Sequence, residues 1–275
     1  MVTVVPIADR HAIKTVSFAL EWRDPLREDI LTLLMALHPR VRDKLPRVLK
    51  QEEILFDVVV DPVEPERQAP AKPRLAGVMF DALQPNGQQA WVLVVRKNFL
   101  VVSCHIYTRW NDIWRKALEL LTPFVPILAK ERGISAIGLQ YIDQFRVTGA
   151  CDQFRASHLL REGSRFVPAH VFELEGLWNS HHGFFKQLAA PTAHRRLDNV
   201  NVDVVDVNNE CLIQITTAHR ALLDSPATDE SSLLEPADGS RLHHHMVELH
   251  KANKELLGEL LNDTVCERIG LGGQQ

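Results

Sequence analysis

The sequence predicts an α+β protein built from two antiparallel sheet-plus-helix halves, residues 1–150 and 151–275, that form a structural pseudo-repeat. Three observations lead there. One is a strand–turn–strand signal, Ala90–Arg96, Lys97-Asn98 and Phe99–Tyr107. Another is its counterpart, Leu197–Val207, Asn208-Asn209 and Glu210–Leu223. The last is that each is followed by a helical stretch with an apolar stripe, one from about Trp110 and one from about Leu242 to Cys266.

The second hairpin reads residue by residue. A two-residue loop wants φ > 0 at both central positions, which Asn tolerates better than most residues. That loop sets Val207 opposite Glu210, Val205 opposite Leu212 and Asp203 opposite Gln214. Val200, Val202, Val204, Cys211, Ile213 and Ile215 then share one face, and Asn199, Asn201, Asp203, Gln214 and Thr216 the other. Such period-2 segregation marks a sheet with one buried and one wet face. In the first hairpin Trp91, Leu93, Val95, Leu100, Val102, Cys104 and Ile106 fall together, while Val92, Val94 and Val101 mix with Ser103 and His105 behind them. That sheet is expected to be covered on both sides.

The remaining elements follow in order. Thr15–Trp22 alternates as a strand, Asp24-Pro25 looks like a helix start, and Leu26, Ile30, Leu33, Leu34 and Leu37 recur at helical spacing until His38-Pro39. Ile54–Val60 reads as a strand and the proline-rich Asp61–Arg74 as an exposed loop. Leu75–Ala82 joins the first hairpin in a meander across Pro85-Asn86-Gly87. The helix from Trp110 carries Ile113, Trp114, Ala117, Leu121, Phe124, Val125 and Leu128 on one stripe, with Pro123 and Pro126 set to split it and Gly133 to stop it. Ile134–Val147 returns as a long strand, and Val171–Gln187 is extended. Leu223–Ser240 reads as a mobile polar connection. The last helix carries the seam Leu242, Met246, Leu249, Asn253, Leu256 and Leu260, whose 4-3-4-3-4 spacing suits covering a sheet or meeting another helix. Packing on the chain's own second sheet is the expectation, with Asn253 at the margin or bonded to sheet backbone.

Composition bounds the function. A net charge of −4 over 275 residues gives no global support for binding nucleic acid. No apolar run approaches the roughly 20 residues that cross a bilayer, so no membrane association is expected. The four cysteines lack any CxxC pair, Cys104 and Cys211 fall on apolar strand faces, and the amino terminus does not resemble a signal sequence. These features predict free thiols in a reducing cytoplasm.

No assembled catalytic motif appears. GxSxG is absent, Cys104 and His105 point to opposite faces of a strand, and Gly270–Gly273 precedes no helix that would hold a phosphate. Among His243, His244, His245 and His250, only His244 and Glu248 stand at the i, i+4 spacing of a chelating pair. The cluster is expected to be solvated, with no metal or other cofactor. His181 and His182 alternate across a strand and cannot easily share an ion. Arg40, Arg42, Lys44, Arg47 and Lys50 form a basic stretch able to meet phosphates, without the interleaved aromatics of a stacking platform. The amides and hydroxyls of Asn199, Asn201, Asp203, Gln214 and Thr216 form a row suited to a partner.

Four segments together resemble a sporadically distributed family of uncharacterised bacterial proteins. They are Phe18–Trp22, Tyr107 with Trp110, Gly138–Asp143, and Leu249-His250 with Asn253. The resemblance runs over nearly the full chain, although the family more usually has Arg and Asn where this sequence has Gln140 and Asp143. It implies no activity; its patchy distribution implies an accessory role in defence or toxin–antitoxin loci. The expectation is thus a non-catalytic cytoplasmic binding protein whose ligand is a protein partner or a second copy of itself. The alternatives are a nucleic-acid-associated protein using Arg40–Lys50 and a hydrolase with a cleft between the halves.

Overall fold

Asn208 and Asn209 both take positive φ, 54° and 63°. The register they impose is the one the loop length demands, Val207 with Glu210, Val205 with Leu212 and Asp203 with Gln214. The computed structural model describes residues 2–8, 10–54, 73–189, 194–235 and 239–271. In chain order these form β1 (Thr3–Pro6), β2 (Ile13–Glu21), α1 (Glu28–Met35), α2 (His38–Val41) and β3 (Arg47–Ile54). Next come β4 (Pro73–Leu83), β5 (Gln89–Arg96), β6 (Phe99–Cys104), α3 (Trp110–Leu121), α4 (Val125–Glu131) and β7 (Ile134–Thr148). Three short 3-10 turns lead to β8 (Trp178–Leu188), β9 (His194–Val207) and β10 (Glu210–Ala227). The chain closes with α5 (Glu230–Leu234), α6 (Arg241–Leu260) and α7 (Asp263–Arg268). None of these helices is long and apolar enough to cross a membrane.

The strands make one antiparallel sheet, ordered β3-β4-β5-β6-β2-β7-β10-β9-β8, with β1 beside the far end of β7. The long strand β7 joins the two stretches of chain, pairing β2 from Ala136 to Asp143 and β10 along most of its length. The helices cover one face. There the apolar side chains fall into two clusters: one holds Phe18, Trp91, Leu93, Leu139 and Tyr141 under α1, α3 and α4, the other Phe145, Val200, Val202, Ile213 and Ile215. The single helix α6 serves both, giving Leu242, Met246 and Leu249 to the first and Leu256, Leu257 and Leu260 to the second. Its seam therefore packs within the chain, as the spacing predicts.

Several elements differ from the sequence reading. Ile106 is 40% exposed because β6 ends at Cys104, while Trp91, Leu93, Val95, Leu100 and Val102 are buried. The first helix begins at Glu28, not at Asp24-Pro25. A strand precedes the predicted one: β3 opens at Arg47, and residues 55–60 of the expected strand and 61–72 of the expected loop lie outside the described residues. Most of Leu223–Ser240 is ordered rather than a mobile link. β10 runs on to Ala227, and α5, capped by the Asp229 carboxylate on the Ser231 and Ser232 amides, buries Leu233. The final helix is two, broken at Leu261 and restarted by an Asn262 cap. Cys211 is not a free thiol: it is joined to Cys151, tying the turn after β7 to the start of β10, whereas Cys104 and Cys266 are free and buried.

Candidate ligand cleft and a buried polar layer

Between the two apolar clusters the helix-covered face of the sheet turns polar. On β7 the step falls at Asp143, between Tyr141 and Phe145; on β10 at Thr217 and His219; on β9 at Arg196 and Asp198; on α6 at Asn253. All are buried. Period 2 on the strands puts these residues on the face that carries the valines and isoleucines, so they form a layer across the core.

Most of this layer is internally satisfied. Arg196 donates through Nε and Nη2 to the two oxygens of Asp198, at 2.8 and 3.0 Å. His219 Nδ1 lies 2.8 Å from Asp198 Oδ1, and its Nε2 lies 3.3 Å from Asn253 Oδ1. Thr217 donates to the same amide oxygen at 2.5 Å. Burial pushes the Asp198 carboxyl up, but the hydrogen bonds from His219 and Arg196 and the charge of the Arg196 guanidinium outweigh it and hold the group below its ordinary range. Asn253 is thus neither at the margin nor on sheet backbone; it bonds two side chains of β10.

Asp143 is the exception. Its carboxyl is buried, Oδ2 has no hydrogen-bond partner, and burial alone lifts it to about 7. It sits at the floor of an open cleft of about 350 Å³ whose lining includes His11, Tyr107, Trp110, Tyr141, His250 and Asn253. Each element delivers its residue for a local reason. Tyr141 and Asp143 share a face of β7; Tyr107 and Trp110 come where β6 gives way to α3; His250 and Asn253 lie one turn apart on α6. The rings of Trp110 and His250 stack face to face, centroids 3.9 Å apart, and Tyr141 Oη is 2.8 Å from His250 Nδ1. Burial first, and then Lys254, push His250 down to about 4, so the imidazole is neutral. Burial, with Asp143 and Cys104 adding to it, lifts Tyr107 to about 12 and keeps its hydroxyl a donor. Arg10, Arg109 and Lys254 also line the cleft and form no ion pair among the described residues. The arrangement offers an aromatic wall, an acid floor and cationic groups.

The sites expected from sequence fare differently. Asn199, Asn201, Asp203, Gln214 and Thr216 do stand in a half-buried row on the open face of β9 and β10. Part of that row is engaged within the sheet: His181 Nε2 is 2.6 Å from Asp203 Oδ1, and a Cβ at Gly183 would meet Asn199 Oδ1 at 2.2 Å. The basic stretch is not one surface. Lys44 pairs with Glu119 at 2.6 Å, Arg47 forks onto the fully buried Asp81, and Arg40 on α2 and Arg42 at its end stay exposed. Arg47 and Lys50 lie three apart on β3 and so face opposite ways. Of the histidine cluster, His244 is about half exposed, with Nε2 3.6 Å from Glu248. His243 accepts from Trp114 Nε1 at 2.9 Å, and His245 is not solvated at all, being 2% exposed.

Every residue of the cleft's centre was visible in the sequence, yet no spacing joins positions 107, 141 and 250. Comparison with known families and with curated proteins finds no match to this chain.

Proposed function

We propose that the protein is a binding protein whose ligand enters the cleft over Asp143. The observation that carries this reading is the buried Asp143, whose Oδ2 has no hydrogen-bond partner, in the lining of a cleft walled by aromatic rings. A buried polar atom costs stability unless something satisfies it, and a ligand donor would do so. The rest of the lining defines the ligand's chemistry. Trp110 with His250 suits a planar body, and Arg10, Arg109 and Lys254 suit an anionic group on it. The ligand class is therefore a small planar anion that carries a hydroxyl or amino donor. Cys104 nearby supports binding over attack, since burial pushes its thiol up to about 11 and keeps it protonated.

A thermal-shift survey of aromatic carboxylates bearing hydroxyl or amino groups tests the reading. Wild type should gain stability with at least one of them, and Trp110→Ala and Arg109→Ala should each lose that gain. No gain with any member, or a gain indifferent to both substitutions, overturns it.

The hydrolase reading draws on the convergence of His250, His11 and Asp143, and predicts turnover of an ester of such a ligand. For a protein partner or a second copy, the half-buried row from Asn199 to Thr216 is the supporting surface. Nucleic-acid binding through Arg40–Lys50 has less support, with Lys44 and Arg47 committed to carboxylates. The disulfide weighs against a reducing compartment, where such bonds are rare. We also infer a structural pseudo-repeat: the strand order β4-β5-β6-β2 on one side of the centre is matched by β8-β9-β10-β7 on the other.

A further inference from the structure

We propose that His194, His245 and Glu248 bind a divalent transition-metal ion of the zinc type. His194 opens β9, and His245 and Glu248 stand at i, i+3 on α6, so the helix offers both ligands from one face. One ligand atom from each of the three lies within 4.8 Å of the other two. In a tetrahedral zinc site with bonds near 2.1 Å, ligand atoms stand roughly 3.4 Å apart, so modest side-chain rotation closes the set.

The second observation is His245 itself. The residue is 2% exposed, and both of its ring nitrogens are buried with no hydrogen-bond partner. A buried imidazole with neither nitrogen used is costly, and a metal on one of them removes part of that cost. The ring meets His194 edge-on, centroids 4.9 Å apart, which brings the two imidazoles to the same place. Two nitrogens and one carboxylate oxygen form a donor set suited to zinc, and three protein ligands leave a fourth position for water or for His244, which lies 3.6 Å from Glu248. The site is distinct from the cleft: neither His194, His245 nor Glu248 lines it, and His245 precedes His250, the first α6 residue of the lining, by five residues, about 7.5 Å along the helix. Bound there, the ion would clamp the start of β9 to α6.

The test uses the full chain, freed of any affinity tag and stripped with chelator, titrated with Zn2+ against a chromophoric competitor. One equivalent should bind and raise the melting temperature, and Co2+ should bind in its place with visible absorption of a tetrahedral site. Glu248→Gln, at a partly exposed position that folding tolerates, should weaken binding roughly a hundredfold or more, beyond the 10–100-fold typical of outer-shell changes. His245→Gln should do the same. His244→Ala should leave at least the stoichiometry intact. Absence of one-equivalent binding by wild type overturns the proposal. So does binding that survives both Glu248→Gln and His245→Gln, or binding lost only in His244→Ala.

Discussion

Replacing Asp143 by Asn should leave stability near pH 4 almost unchanged and raise it at pH 8. Burial lifts this carboxyl from an ordinary value of 3.8 to about 7. In the unfolded chain it loses its proton near the ordinary value, while the folded protein holds that proton until about pH 7. Between these limits the folded state binds more protons than the unfolded one, so stability falls as pH rises, by about 1.4 kcal/mol per pH unit. The sign is opposite to that of a salt-bridged carboxylate. The contribution is whole below the unfolded value, is lost through the window, and is flat above it. Across the window the loss is about 4 kcal/mol. Asn reproduces the protonated acid, with one carbonyl acceptor and a donor of similar reach, and has no charge to bury. Urea unfolding of both proteins at a series of pH values isolates the contribution, because every other titrating group cancels in the difference. That difference should be near zero at pH 4 and should grow to about 4 kcal/mol in favour of the Asp143→Asn variant at pH 8. A difference that does not change with pH, or a variant less stable than wild type at pH 8, refutes the claim that Asp143 is buried without a partner.

Two further substitutions probe the packing. Val202→Asp places an unpaired charge at a position 1% exposed and should cost several kcal/mol, seen as a lowered melting midpoint; an unchanged midpoint would show that the face is wrongly assigned. Leu256→Ala, in the α6 seam at 4% exposure, should cost about 2–5 kcal/mol by the cavity it leaves. That cost should not vary with protein concentration, and a midpoint that moves on dilution would place the helix in an interface between copies.

What the sequence shows and hides follows from the range of each signal. The Asn208-Asn209 hairpin, the split at Pro123 and Pro126 and the α6 seam are local patterns, and the structure contains all three. The strand β3 hides because Arg47–Ile54, RVLKQEEI, has no alternation; it lies at the sheet edge, where charged residues are tolerated and discourage further pairing. The ordered run past Leu223 hides because Asp224, Ser225 and Pro226 are exposed loop-like residues, whereas Ala227 closes on Ile134 across an irregular register. The disulfide joins positions 60 apart with no spacing signal. The cleft is the clearest case: Tyr107, Tyr141 and His250 meet only because β7 lies at the sheet's centre and α6 crosses it.

The buried polar layer explains why α6 crosses where it does. An apolar seam alone specifies a helix's position on a sheet weakly, since leucines pack against valines in more than one register. A buried ion pair with its hydrogen bonds gains little over well-packed hydrophobic side chains, and losing one partner costs far more. Thr217 and His219 both address the single amide of Asn253, so a shift of α6 by one turn would leave Asn253, Thr217 and His219 with unmet bonds in the core. The misplaced registers are therefore penalised by several polar groups at once. This is the role a lone Asn plays in a coiled-coil seam, carried out here against a sheet. The same register holds His250 against Trp110 and Tyr141 and His245 against His194. Both candidate sites thus depend on one helix position, and the polar layer around Asn253 is what fixes it.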